Sequence, residues 1–495
     1  MKKNIFNCLL SFFLFCAFSW SEAEELRWGA DAEGGAPYVF HDPSDPNKLI
    51  GFEVEIVNAL AKKLHKEPRF VQNAWDGLIL GLDRGEYDIA INGIEITEDR
   101  KEKVLFSDIY YTTFLQLVVQ QSETRFKKLS DLSGFKVGTL SGALSERVLR
   151  AEKGIEVLLY EAESSAHQDL AVGRSEAVLF DAPIAKYYSE VDSRFKILPL
   201  TIGTLNYAIA ISRSNPDLLK KINAALRELV ESGELKEIYE RWALWNGATA
   251  KIFNDFSSTI VSPVEFEKYK KSVNSQRGWT EKFQIYRKTL PILGLAALKT
   301  VQVSFLAMIV AIIGGLLLVG ARLYGGKFLQ KFSVLFIEVI RGTPLLLQLF
   351  FIFYALPSFG LEFSPLWAAV MGLGLNYSVQ ECEIYRGGLM SVHRNQIEVA
   401  QLLGLSGWQI FWSVKAPQAF RICLPPMTTD FIALIKDSSL VSVITMVELT
   451  KSYSILASTY YDYFGFALIA GLFYLLIGMP FVLLSRYLER KNLLA

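Results

Sequence analysis

The chain has 495 residues, 51% of them hydrophobic, and its 51 lysines and arginines balance 51 aspartates and glutamates. A formal net charge of zero gives no sign of a nucleic-acid partner or of a strongly charged one. The four cysteines lie outside residues 24–290 and lack metal-ligand spacing, so neither a disulfide framework nor a metal site is predicted.

The first 23 residues have the pattern of a secretory signal peptide. Two lysines precede an apolar run over 9–18, and residues 21–23 have the small-x-small form of a cleavage site. The apolar run is too short to span a membrane comfortably, so cleavage is favoured over an uncleaved anchor. A lipoprotein signal at Cys16 is disfavoured because no small residue precedes the cysteine. Residues 1–23 are therefore predicted to be a signal peptide, and the domain that follows is expected to be exported.

Residues 24–248 alternate strand and helix patterns, which is typical of an α/β domain. A helix is predicted at 52–65, where apolar residues recur every four positions. The predicted strands are LRWGAD at 26–31, YDIAINGI at 87–94, GFKVGTLSG at 134–142 and EAVLFDAP at 176–183.

Two further apolar segments, 114–120 and 206–212, are predicted to be paired crossover strands. Such strands would connect two lobes. One lobe would contain 24–113 and 208–248, and the other would contain about 119–205.

Several strings in this half resemble the periplasmic amino-acid-binding proteins. They are LIGFEVEI, WDGLI, NGIEITEDRKEKVLFSDIYY, VGTLSG and FDAP. The resemblance runs over the whole of 24–248 and implies a two-lobed, type II binding domain that holds a free amino acid.

The resemblance and the chemistry of an amino acid together indicate a binding site. Arg100 suits the carboxylate, because a guanidinium pairs with it bidentately, and the helix start after Ser141 offers N–H donors. Asp181 suits the ammonium, Gly93 offers a carbonyl without a side chain, and Trp75 offers an apolar wall. Without the resemblance, a surface arginine and a helix-capping aspartate are the plainer interpretations.

The sequence departs from the family pattern at three places. Glu95 stands where a hydroxyl residue is usual, no aromatic stands at 34–35, and no hydroxyl stands at 143–144. Glu95 adds negative charge beside Asp181 and Asp31, which favours a basic amino acid, or it pairs with the arginine and weakens carboxylate binding. The surrounding string is closest to that of glutamine binders, so glutamine ranks first and a basic amino acid second.

Residues 249–289 form a polar stretch, predicted to be a linker that tethers the binding domain to the membrane domain at 290–495. A tether raises the local concentration of the binding domain, so capture does not wait for a diffusing binding protein.

The C-terminal half is predicted to be an all-α polytopic membrane domain of five transmembrane helices. Its lysines and arginines concentrate in alternate loops, which predicts an N-terminal domain outside the plasma membrane and a cytoplasmic C-terminus. The five apolar segments are 292–321, 332–356, 365–381, 427–449 and 464–485.

Three strings in the membrane half resemble the polar-amino-acid subfamily of ATP-binding-cassette (ABC) importer permeases. They are EVIRGTPLLLQLFF at 338–351, CEIYRGGL at 382–389 and ALIKDSSLVSVI at 433–444. The resemblance covers nearly all of 290–495 and implies the permease of a bacterial inner-membrane importer.

The polar segment 398–417 resembles the coupling loop of these permeases. Glu398 and Ala400 begin the pattern, Gly404 follows at the expected spacing, and Pro417 closes it. The resemblance implies a helix, a glycine turn and a second helix that dock on a cytoplasmic ATPase subunit.

No GxxxxGK[ST] string occurs in the chain, so ATP is expected on a separate ATP-binding subunit. One permease domain per chain implies a second permease chain, as a homodimer or a heterodimer. The predicted function is the binding and permease subunit of an amino-acid importer. The alternatives are a ligand-gated channel or sensor with the same binding domain. No enzyme is predicted, because the soluble half shows no nucleophile–base constellation.

Overall fold

A computed structural model describes residues 24–33, 35–257, 261–273 and 277–493 of the chain. The signal peptide predicted at 1–23 lies outside the described residues. An α/β domain comes first along the chain and a helical domain follows it.

The α/β domain contains two five-stranded sheets and a two-stranded hairpin. One sheet has the order β4-β1-β5-β12-β6, the other β11-β7-β10-β8-β9, and β2 pairs with β3. The strands are β1 Glu25–Ala30, β2 Phe40–Asp42, β3 Asp45–Ile50, β4 Glu67–Gln72, β5 Ile89–Ala90, β6 Val104–Phe106, β7 Tyr111–Gln120, β8 Lys136–Leu140, β9 Glu156–Tyr160, β10 Ala177–Asp181, β11 Phe195–Tyr207 and β12 Ala210–Ser212.

Helices cover these sheets, and their ends follow local chemistry. The helix predicted at 52–65 is confirmed as α1, with acidic residues in its first turn and lysines in its last, which suits the helix dipole. Asn215 caps the start of the helix Pro216–Glu231, and Gly233 (φ 79°) lies in the turn between this helix and the next one, Glu234–Arg241. The helices are α1 Phe52–Lys63, α2 Leu78–Asp83, α3 Glu98–Lys101, α4 Leu144–Ala151, α5 Glu163–Ala171, α6 Ala182–Ser189, α7 Pro216–Glu231, α8 Glu234–Arg241, α9 Gly247–Phe253 and α10 Val264–Ser272.

The crossover between the lobes differs from the predicted one. The segment 206–212 is not one strand: β11 ends at Tyr207, and β12 begins at Ala210 in the other sheet. Strand β7 pairs with β11 over residues 195–207, and the start of β7 lies beside the end of β11. The chain therefore passes between the lobes at these two strand ends. An unbroken apolar run conceals this break, because residues 207–211 are all buried.

The predicted linker is largely helical, with α10 in its middle. Phe266 and Tyr269 of α10 are buried against the α/β domain, and Tyr269 contacts Phe40 and Tyr187. Large aromatic side chains stabilise such packing. The segment predicted to be a linker is therefore partly docked on the α/β domain rather than a plain tether.

The helical domain packs around the long helix α11. Helices α11 and α14 approach so closely that a Cβ at Gly374 would lie 2.6 Å from Val310. The helices are α11 Trp279–Tyr324, α12 Lys327–Gly342, α13 Leu345–Phe350, α14 Pro365–Met390, α15 Arg394–Leu402, α16 Gly407–Ile410, α17 Ala416–Asp437, α18 Leu449–Tyr460 and α19 Tyr463–Leu493.

Within the described residues, 279–324 and 463–490 are long and apolar enough to cross a membrane. A third span is present if α12 and the helical segment 345–359 are counted together as one span, which is bent by 107° at the break between them. Helix α14 occupies the third predicted segment, and α17 covers only the first half of the fourth, which continues as a 3-10 helix over Ser438–Ile444; both α-helices carry charged residues. The architecture is thus a two-lobed α/β domain followed by a helical membrane domain.

Candidate functional site

A cleft lies between the two lobes of the α/β domain. The carboxyl-terminal ends of strands from both sheets reach it, together with the loop before β2 and the start of α5. Its lining residues are Tyr38, Trp75, Asn92, Gly93, Glu95, Leu115, Leu140, Ala143, Ser145, Glu163, Phe180, Asp181, Ile184 and Leu205.

Arg100 lies at this cleft, on the short helix α3. Its Nη1 donates to Glu95 Oε2 at 2.5 Å and to the Glu95 carbonyl at 3.0 Å. Its guanidinium also lies 5.0 Å from the ring centroid of Trp75, a cation–π distance. The interpretation of Arg100 as a free surface arginine is therefore excluded, and Glu95 pairs with it.

The start of α4 reaches Glu95 from the opposite lobe. The Leu144 N–H donates to Glu95 Oε1 at 3.2 Å, and Arg100 Nη2 donates to the Gly142 carbonyl at 3.4 Å. The helix begins at Leu144, three residues later than the expected start near Ser141. One N–H donor of this helix start, that of Leu144, thus contacts Glu95, whereas the Gly142 N–H donates to Glu146.

Asp181 holds the far side of the cleft. Its Oδ2 accepts from the hydroxyls of Tyr38 at 2.5 Å and Tyr207 at 2.6 Å, and its Oδ1 accepts from the Ile184 N–H at the start of α6. Burial raises the pKa of Asp181 to about 6. The Asp181 carboxylate therefore caps α6 and also lines the cleft.

Gly93 and Trp75 form one wall. Gly93 has a φ of 60°, and a Cβ there would lie 3.1 Å from the ring of Tyr38. Its N–H donates to Glu53 at 2.8 Å, and burial raises the pKa of Glu53 to about 8, so this buried acid is mainly uncharged at neutral pH. The Trp75 indole N–H donates to the Asn92 carbonyl at 2.8 Å.

Asp31 and Ser141 lie outside the cleft. They line a second cavity of about 430 Å³ between the α/β domain and the helical domain. The Asp31 carboxylate accepts from the Gln72 amide at 2.8 Å and the Trp75 N–H at 3.1 Å. It therefore positions residues of lobe 1, the lobe built on the sheet that contains β1; lobe 2 is built on the sheet that contains β8. Trp75 lines both cavities, so the cleft and the second cavity adjoin.

Several polar residues at the cleft were missed in the sequence, among them Tyr38, Ser145 and Glu163 in its lining and Tyr207 next to Asp181. Tyr38 and Tyr207 come from distant elements, and no spacing rule links them to Asp181. Ser145 supplies a buried hydroxyl one residue beyond 143–144, and it contacts Thr139 at 2.5 Å. Glu163 is buried at the start of α5, where burial raises its pKa well above the ordinary value.

Both lobes contact the helical domain. In lobe 1, Glu33 pairs with Lys451 of α18, and the Arg84 guanidinium lies 4.3 Å from the ring centroid of Phe353. In lobe 2, the Tyr463 hydroxyl donates to Ser164 at 2.7 Å. The segment from α18 to the start of α19 therefore touches the two lobes together.

The predicted coupling segment forms a helix, a glycine turn and a second helix. Glu398 and Ala400 lie on α15, Gly404 has a φ of 79°, and α16 follows with Ser406 as its cap. Pro417 lies in the first turn of α17. Several large apolar side chains of this segment are exposed: Val399, Leu402, Leu403, Trp408 and Trp412.

Two family descriptions match the chain. "Bacterial extracellular solute-binding proteins, family 3" matches residues 26–244, and "Binding-protein-dependent transport system inner membrane component" matches 292–493.

Curated relatives match each half separately. The L-cystine-binding protein TcyJ of Escherichia coli is 34% identical over 209 residues, which is 42% of this chain and 78% of that protein. The glutamine transport system permease protein GlnP of Escherichia coli is 37% identical over 205 residues, 41% of this chain and 93% of that protein. A solved ancestral arginine-binding protein bound to arginine is 36% identical, with a TM-score of 0.42, over 45% of this chain and 99% of that one.

Proposed function

Because the chain belongs to the ABC importers of polar amino acids and joins a family 3 solute-binding domain to its inner-membrane permease, we propose that it captures an amino acid outside the membrane and passes it inward. The observation that carries this proposal is the position of the cleft against the helical domain. Both lobes contact that domain, and a cavity of about 430 Å³ between the two domains adjoins the cleft.

The charges of the cleft favour a basic amino acid over glutamine. Arg100 and Glu95 neutralise each other, which leaves Asp181 and Glu163 to face the ligand. A basic amino acid carries two cationic groups. One can pair with Asp181, and the other would favour the ionised form of Glu163, whose pKa is raised by burial. Glutamine, which ranked first on the sequence, would leave Glu163 without a cationic partner.

The five-span topology remains our proposal for the membrane domain. Helix α11, the bent pair of α12 and 345–359, α14, α17 and α19 correspond to the five apolar segments. The alternating loop charges support an exported binding domain and a cytoplasmic C-terminus.

A separate ATPase drives transport in this proposal. Its docking site is the segment 398–417, where apolar side chains are exposed on the side predicted to be cytoplasmic: Leu402 is 87% and Trp408 71% exposed. Exposed apolar patches of this kind mark protein interfaces. A second permease chain, as a homodimer or heterodimer, completes the transporter.

Calorimetry on the full chain in lipid nanodiscs tests the ligand proposal. Arginine, lysine, glutamine and glutamate are titrated in parallel. We expect arginine or lysine to bind tightest, glutamine to bind more weakly, and glutamate to bind least. Tightest binding of glutamine or glutamate would contradict the proposal.

Amino-acid affinity should fall as the pH drops through about 6. The ammonium of the ligand pairs with ionised Asp181, whose pKa is about 6 in the fold, so protonation removes its partner. Affinity should be constant above pH 7 and about tenfold lower near pH 5. Calorimetry across this range measures the effect. Any residual binding by Asp181→Asn should be independent of pH there, and a flat wild-type profile would contradict the role of Asp181.

Replacement of Lys451 should impair transport without changing ligand affinity. Lys451 and Glu33 form a largely buried ion pair between the two domains, with side chains 11% and 15% exposed. Loss of one partner leaves the other charge buried, so uptake by Lys451→Ala vesicles should fall roughly tenfold or more. A charge swap, Glu33→Lys with Lys451→Glu, should recover part of it. Lys220→Ala breaks an exposed ion pair with Asp217 and is the control. If Lys451→Ala and Lys220→Ala showed equal uptake, a docking role for Lys451 would be excluded.

A further inference from the structure

Glu95 contacts the two donors that would hold the carboxylate of an amino acid. Its Oε2 lies 2.5 Å from Arg100 Nη1, and its Oε1 lies 3.2 Å from the Leu144 N–H. A guanidinium and an amide at a helix start are the donor types that bind carboxylates. The Glu95 side chain is only 6% exposed, so water does not compete freely for it.

The same contacts join the two lobes. Glu95 and Arg100 follow β5 in lobe 1, whereas Gly142 and Leu144 follow β8 in lobe 2. The bonds from Glu95 to Leu144 and from Arg100 to the Gly142 carbonyl therefore cross the cleft. A ligand carboxylate between these groups would make the same connection.

The cleft has no room for both carboxylates. Its free volume is about 30 Å³. A single water needs about 10–15 Å³ of such space, so the cleft has room for roughly two or three waters. Even the smallest amino acid needs more space. Because Arg100 and Leu144 are already bonded to Glu95, an incoming carboxylate has to replace Glu95 at these donors.

We propose that Glu95 is a tethered competitor of the ligand carboxylate: it closes the lobes by itself, and an amino acid binds by displacing it. The inference rests on the proposed function, since it takes the ligand to be an amino acid. Displacement lowers the affinity for every amino acid. The same contacts are broken for every ligand, so Glu95 lowers all affinities by a similar factor, and the preference for basic amino acids comes from Asp181 and Glu163 instead.

Substitution of Glu95 tests the competition. Full-length Glu95→Thr in nanodiscs should bind arginine and glutamine about 10- to 100-fold more tightly than wild type, because one charged hydrogen-bonded contact no longer has to be broken. Glu95→Gln keeps the shape of the side chain but not its charge, so its affinities for both ligands should lie between those of wild type and Glu95→Thr. Glu98→Gln removes an exposed carboxylate three residues along the chain and should leave both affinities unchanged. Weaker or unchanged binding of both ligands to both Glu95 variants would overturn the proposal.

A distance measurement tests closure without any ligand. Spin labels at Lys62→Cys in lobe 1 and Lys153→Cys in lobe 2 lie at exposed positions. Without amino acid, the wild type should give a short, narrow distance distribution and Glu95→Thr a longer, broader one, which arginine shortens again. Identical distributions without ligand would overturn the proposal. If neither protein binds any amino acid, the proposed function fails, yet a distance change in those samples still establishes Glu95 as the closing contact.

Discussion

Arg100→Ala should abolish measurable amino-acid binding by the full chain. The guanidinium is the cationic partner of the ligand carboxylate in our proposal, and its removal also leaves Glu95 as an unpaired buried acid. Loss of one member of a desolvated charge pair costs about 2–5 kcal/mol, which corresponds to a roughly 30- to several-thousand-fold loss of affinity. Calorimetry with arginine and glutamine measures it.

Arg147→Ala is the matched control for this variant. Arg147 also pairs across the lobes, with Asp99, but both side chains are more than half exposed, at 51% and 71%. Exposed ion pairs contribute little, so its affinities should stay within about twofold of wild type. Near-native affinity in Arg100→Ala would remove Arg100 from the binding site, whereas equal losses in the two variants would assign the effect to lobe closure.

The sequence predicted the elements whose pattern is local. The strands at β1, β8 and β10 and the helix α1 are confirmed, because burial on one or both faces leaves a periodic apolar pattern. The break between Tyr207 and Ala210 was not predictable, since both sides of it are buried and apolar. The docking of α10 was missed because its polar residues conceal the two aromatic residues that pack inward.

The candidate site was predictable only in part. Asp181 lines the cleft and Arg100 contacts the cleft residue Glu95, while their roles in ligand binding stay predictions. Tyr38 and Tyr207 could not be found, since their contact with Asp181 depends on how the lobes close. The sequence left two roles open for Glu95, and the ion pair with Arg100 supports the second.

Gly404→Val should uncouple transport from amino-acid binding. Gly404 has a φ of 79°, which a β-branched residue adopts only with strain, although a Cβ on this residue would have no other heavy atom within 4 Å. The strain should therefore distort the turn between α15 and α16 rather than the packing around it. Uptake and ligand-stimulated ATP hydrolysis in vesicles that contain the ATPase should fall together, by about tenfold or more if the strain costs roughly 1–3 kcal/mol at the interface. Calorimetry should show unchanged ligand affinity.

Gly407→Val is the control, because Gly407 begins α16 with ordinary backbone angles and open space around it. It introduces the same side chain three residues away and should retain most of the uptake. Glu398→Lys gives a second test. Glu398 contacts Arg394 in an exposed pair that contributes little to the fold, so a loss of uptake in this variant has to arise at a partner's surface. Normal uptake by well-expressed Gly404→Val and Glu398→Lys would show that ATPase motion reaches the membrane helices by another route than the segment 398–417.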